Sequence, residues 1–376
     1  MTQFIASPIR LILLLALCLS LAACGSGRSA GCLPGACPIG PGAEYLLATT
    51  SNGAVLSLKI DQQTGGVSPA ISVPGPSISL GLAAVGSKFL YVSDAGGHRL
   101  YGYSIDAATG ALSALTGSPF SLGALSLPEG LAAAHGAYLY VGDAGAVDGL
   151  AVNGTSGMPT PVAGSPFASG TNLFLTTDPA GKFLFASDDD LPGGILAFTI
   201  DSATGALTAV PSSPFPIPGQ TVLNSQPSGI VTDASGRYVY AALNGANQIA
   251  AFSITSGTGV LTPVLGSPFP AGMEPLTLAA TNRFLYANST DGTIRAYGID
   301  STTGVLTPVA GSPFAFSAAG LSIDPSGKFL FGSRLPGIEV FNIDTTNGAI
   351  TPVVGSPFPA GGALQLTIVQ MPGQGG

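Results

Sequence analysis

Gly117-Ser-Pro-Phe120 recurs as Gly164-Ser-Pro-Phe167, Gly266-Ser-Pro-Phe269, Gly311-Ser-Pro-Phe314 and Gly355-Ser-Pro-Phe358, with a variant at Ser212-Ser-Pro-Phe215. Successive copies stand 44 to 54 residues apart, and a fixed period in this range means a repeat architecture. A second motif keeps the same step. Asp61-Gln-Gln-Thr-Gly65, Asp106-Ala-Ala-Thr-Gly110, Asn153-Gly-Thr-Ser-Gly157, Asp201-Ser-Ala-Thr-Gly205, Thr255-Ser-Gly-Thr-Gly259, Asp300-Ser-Thr-Thr-Gly304 and Asp344-Thr-Thr-Asn-Gly348 mark seven units. A leading Asp bonds back to the turn backbone and a closing Gly supplies positive φ, so each is a hairpin turn.

Between the turns the chain alternates as strands do. In the last full unit Leu321-Ser-Ile323, Lys328 to Gly332, Ile338 to Ile343 and Ala349 to Val354 read as four strands, separated by Asp324-Pro-Ser-Gly327, Arg334-Leu-Pro-Gly337 and the Asp344 turn. Seven such units predict an all-β fold, a seven-bladed β-propeller with four antiparallel strands per blade. Small residues in the first strand, as in Gly130-Leu-Ala-Ala-Ala134, suit the crowded axis. Pro161, Pro263, Pro308 and Pro352 put the fourth strand on the outer edge, because proline lacks the ladder donor. The repeated Phe is expected between neighbouring blades. Glu44 to Ala48 matches a second strand and Leu364 to Val369 a first. The ring is therefore expected to close with the C-terminal strand innermost in the N-terminal blade, which removes free sheet edges.

The 376 residues carry 54 Gly and 31 Pro but only 8 % charged side chains, too apolar for a disordered chain. A net charge of −8 without a basic stripe argues against nucleic acid. Arg10 and the apolar run Leu11 to Leu21 read as an export signal, too short to span a bilayer. Leu21-Ala-Ala-Cys24 resembles a bacterial lipobox. The expected organisation is a signal peptide over 1–23, lipidated Cys24 and a flexible tether over 24–42, the propeller over 43–371 and a tail over 372–376. The expected location is the bacterial cell envelope, with the lipid as membrane anchor. Gly25, in place of Asp, resembles outer-membrane sorting if the host is Gram-negative. Cys32 and Cys37 could close a small disulfide in an export compartment.

Tyr91-Val-Ser-Asp94, Asp324-Pro-Ser-Gly-Lys-Phe-Leu-Phe331 and Asp201-Ser-Ala-Thr-Gly-Ala-Leu-Thr208 resemble the seven-bladed lactonase family, which includes bacterial 6-phosphogluconolactonase, and the YVTN-type surface-layer propellers. The resemblance covers nearly the whole mature chain and implies the propeller. It implies lactone hydrolysis through an Arg-His pair that follows Gly-Pro at a first strand. The corresponding positions here read Pro128-Glu129-Gly130, Pro227-Ser228-Gly229 and Ala319-Gly320.

His98 and His135 fall in turns on opposite faces, where neither meets a catalytic partner. The ends of three successive second strands read Asp94, Asp143 and Asp188, the last followed by Asp189 and Asp190. Glu129 shares their face, and Arg334 holds the matching place in the last blade. Grouped carboxylates could bind Ca²⁺ or Mg²⁺ through oxygen ligands, or shift one another for acid–base work with Glu129 and Asp188 as the candidates. Otherwise they form a solvated rim that keeps an apolar protein soluble. No other cofactor is implied. The sequence reading favours an envelope lipoprotein that binds a small ligand, glycan or protein without catalysis. The alternatives are a lactone hydrolase or cycloisomerase, and a structural surface-layer component.

Overall fold

The computed structural model describes residues 42–122, 128–143, 145–167, 174–188, 194–220 and 226–373. Seven antiparallel sheets follow one another around an axis, each built from an inner, a second, a third and an outer strand. Blade 7 shows the pattern in its simplest form: Leu321–Ile323, Phe329–Ser333, Gly337–Ile343 and Ile350–Pro352. Blade 1 takes its inner strand, Ala363–Gln370, from the C-terminus and the other three, Glu44–Thr50, Ala54–Ile60 and Ile71–Pro74, from the N-terminus. Leu46 pairs with Ile368 and Tyr45 with Val369, so the ring closes as the strand patterns predict.

The Gly-Ser-Pro-Phe motif does more than separate blades. After the outer strand, each Phe turns back and pairs with the third strand of its own blade, as Phe358–Pro359 does opposite Ile338 and Gly337. The preceding Ser hydroxyl accepts from a third-strand N–H: Gly102 to Ser118 at 3.0 Å, Ala251 to Ser267 at 2.9 Å, Val340 to Ser356 at 2.9 Å. All six Ser-Pro bonds are cis. Phe120 then packs among residues of blades 2 and 3, and Phe358 among those of blades 7 and 1, the expected place between blades. Blade 1 has no such motif; its exposed outer strand pairs with Ala54–Ser57, and an isolated bridge joins Val67 to Ile60.

The hairpin turns carry the other inter-blade contact. In the Asp300 turn the carboxylate accepts from Thr302 N at 2.9 Å, Thr303 N at 2.8 Å and the Thr303 hydroxyl at 2.8 Å, which holds it below the usual aspartate range. Gly304 closes the turn at φ +76°, and a Cβ there would enter the ring of Tyr238 from the preceding blade. The same aromatic-over-glycine contact joins Tyr45 to Gly110, Phe89 to Gly157, Tyr138 to Gly205, Phe183 to Gly259, Phe284 to Gly348 and Phe329 to Gly65. Every seam of the ring has one. Two residues further along, Tyr140, Tyr240 and Tyr286 donate to the carbonyls of Gly205, Gly304 and Gly348 at 2.8, 3.2 and 3.0 Å. Burial pushes these phenols well above their usual range.

Candidate functional site

The seven inner strands leave an axial channel of about 200 Å³. Leu82, Leu131, Leu175, Ile230, Leu278 and Leu321 line it together with glycine backbone, and Thr277 and Gln365 bring its only polar side chains among the described residues. The Thr277 hydroxyl is already bound to Asn288 Oδ1 at 2.8 Å. Among the described residues the throat therefore offers shape and backbone polarity, and no group that titrates.

The ionisable side chains stand at the mouth. Asp94, Asp143 and Asp188 end the second strands Phe89–Asp94, Tyr138–Asp143 and Phe183–Asp188, which all run in one direction. Glu129 precedes the inner strand Leu131–Ala134; its N–H donates to Gly142 O at 2.8 Å, which sets it beside Asp143. Ser93 of the preceding blade donates to Glu129 O at 3.2 Å and brings the Asp94 end to the same sector. One expectation needs correcting. These acids are no solvated rim: Asp94 and Asp143 are 4 % exposed, Glu129 and Asp188 7 %. For Asp94 the partners are those of the tight turn that it begins. Asp94 accepts from Gly97 N at 3.0 Å and lies 3.7 Å from the Arg99 guanidinium. Arg334 is likewise engaged, 3.8 Å from Glu339 and stacked 5.4 Å over the Phe316 ring. Asp189 and Asp190 lie outside the described residues, as do Cys24, Cys32 and Cys37. Among the described residues no three His, Cys, Asp or Glu side chains gather as a metal site needs.

His98 and His135 sit at opposite ends of their blades, both in left-handed turn conformations, φ 54° and 53°. The buried Asp178, Asp233 and Asp324 of the other face bind turn N–H groups. Asp233 accepts from Ser235, Arg237 and Tyr238 at 3.1, 2.9 and 2.8 Å.

Asp148 is a residue the sequence reading passed over. It interrupts the apolar third strand Ala146–Val152, accepts from the Ser165 hydroxyl at 3.3 Å, and buries its other carboxyl oxygen without a hydrogen-bond partner. Burial, and then the nearby Asp143 charge, raise it above the ordinary 3.8. A lone acid in an otherwise apolar strand was the available signal. A carboxyl raised in the fold favours folding most below 3.8 and loses that contribution as pH rises through its folded value. Asp148→Asn is therefore expected to be more stable than wild type at pH 7, with the difference vanishing in urea melts below pH 3.8.

A second concavity lies away from the axis. A groove of about 570 Å³ runs between blades 7 and 1, walled by Leu56, Val67, Pro69, Phe358 and Pro359, with Thr50 and Asn52 at one end. It stands at the one blade without the Gly-Ser-Pro-Phe loop.

The fold is a seven-bladed β-propeller, its seven sheets set around one axial channel. Residues 215–314 match the family described as lactonase, 7-bladed beta-propeller. Among solved structures, the chain is similar to a candidate 6-phosphogluconolactonase from Bacteroides fragilis, with 17 % identity, a TM-score of 0.71, and 87 % of this chain and 98 % of that one covered. It is also similar to the periplasmic gluconolactonase PpgL of Pseudomonas aeruginosa, with 21 % identity, a TM-score of 0.66 and 88 % and 100 % coverage. The likeness to both is one of fold. No curated protein matches the sequence.

Proposed function

We propose that this propeller is a binding or interaction module without catalysis, held at the bacterial envelope by lipid on Cys24, its partner a small ligand, an envelope glycan or a protein. One observation carries this reading. The described throat has no titrating group, and Asp94 and Arg334 at the mouth are committed to intramolecular partners. Acid–base catalysis needs a group within hydrogen-bond reach of the reacting atom. A ligand here would be gripped by shape, backbone and apolar contact instead.

Lactone hydrolysis is the second reading. The raised Asp148 carboxyl beside Asp143 is a pair of the kind that can share acid and base roles, and the solved relatives are described as lactonases. The deciding experiment is hydrolysis of 6-phosphogluconolactone and unphosphorylated sugar lactones by the purified protein, with and without Ca²⁺ or Mg²⁺. The expected rate is the spontaneous one throughout. Turnover clearly above it, lost in Glu129→Gln, Asp188→Asn or Asp148→Asn, would overturn the binding reading in favour of the hydrolase.

A further inference from the structure

The two ends of the propeller meet in blade 1, and a buried acid stands at the join. Glu44 begins Glu44–Thr50 and lies between Gln370 of the C-terminal strand and Ile60 of the third. It is 4 % exposed. Gln370 Nε2 donates to Oε1 at 3.2 Å, while Oε2 is buried without a hydrogen-bond partner. At the equivalent place, just before the seam aromatic, the other blades carry Lys88, Ala137, Lys182, Arg237, Arg283 and Lys328. Three of these cations reach the next blade's turn: Lys182 Nζ bonds Ser256 O at 2.9 Å, Lys88 Nζ bonds Gly154 O at 3.5 Å and Arg283 bonds Thr345 O at 2.6 Å. Blade 1 puts an acid where five blades put a base.

The groups facing Glu44 do not compensate it. From blade 7 comes Asp324, an acid whose own carboxylate accepts from Ser326, Lys328 and Phe329 N–H at 3.0, 2.9 and 2.6 Å. From the first hairpin turn comes the neutral Gln62, whose amide donates to Gly42 O at 2.8 Å and only partly favours the charged form. From the C-terminal strand comes the neutral Gln370. Burial first, and the Asp324 charge second, raise the Glu44 carboxyl above its ordinary 4.5.

We propose that Glu44 makes ring closure sensitive to pH: neutral, it sits in the seam and holds Ala363–Gln370 in place; ionised, it sets a second negative charge near Asp324 and loosens that pairing. The sign follows from linkage. The contribution is complete below about pH 4.5 and is lost as pH rises through the higher folded value. The hairpin-turn aspartates, such as Asp106 and Asp300, are lowered instead and act in the opposite sense in acid, so the readout must be local.

The test is amide exchange of Ala363–Gln370 in the full chain between pH 4.5 and 8, corrected for intrinsic rates, in wild type and Glu44→Gln. Wild-type protection of this strand is expected to fall with pH, about tenfold for each unit by which the carboxyl is raised, and then to level off. Glu44→Gln is expected to stay flat at the acid level. If both proteins follow one curve, the proposal is wrong. Carbon-13 titration of the Glu44 carboxyl gives a second reading that needs no variant. A midpoint above 4.5 is expected, and one at or below it would also overturn the proposal.

Discussion

Gly304→Ala is expected to cost about 3 kcal/mol of folding stability, from left-handed backbone strain of about 1–2 kcal/mol and overpacking of about 1–3 kcal/mol. The glycine meets two demands at once. Its φ of +76° closes the hairpin turn, and its missing Cβ leaves room for the Tyr238 ring of the preceding blade. Gly257, in the matching turn of another blade, meets neither demand: no positive φ, and nothing within 4 Å of a built Cβ. Gly257→Ala should therefore shift a urea midpoint hardly at all. Equal shifts in the two variants would mean that the aromatic-over-glycine contact does not hold the seams together.

Asp233→Ala is expected to lose about 2–3 kcal/mol, because a buried donor left without a partner costs about 1–3 kcal/mol and two part-buried ones lose theirs as well. The carboxylate is 1 % exposed and gathers the N–H groups of Ser235, Arg237 and Tyr238, together with the Ser235 hydroxyl. The Tyr238 N–H is buried, so its bond is the one that water replaces least easily. The exposed hairpin aspartate Asp344 makes a comparable set of bonds to Thr346 and Asn347, but solvent can replace them. Asp344→Ala should be clearly the milder variant in the same melts. If the two were equally damaging, burial would not be what makes the Asp233 turn matter.

The fold was legible because its signals are local. Asp at the start of a turn, Gly at its end and Pro on an edge strand act within a few residues, and repetition made each readable several times over. Closure was legible for the same reason: Glu44 to Ala48 could be matched to a second strand by its neighbours alone. The return of Phe358 to pair with Ile338 was not, since it depends on where two segments meet in space. The site was read less well. Asp94, Asp143, Asp188 and Glu129 share a sector as their positions suggest, but polarity does not tell whether an acid is exposed or buried. Asp148 shows in sequence only as a lone acid in an apolar strand, and Glu44 as an acid at the start of one. What sets them apart is burial and the company of Asp143 and of Asp324, and the second proximity leaves no trace in spacing.

Blade 1 also imposes an order in time. Glu44–Thr50 is made before the other six blades, yet its inner partner, Ala363–Gln370, follows all of them, and Met371 N can bond Ala43 O only then. Six blades can assemble from neighbouring segments as they emerge, whereas the first waits for all the others. Until that moment the incipient ring is an open arc with two bare strand edges, the form in which a propeller is most exposed to wrong partners. A chain cut short before Ala363 would stay in that form for good.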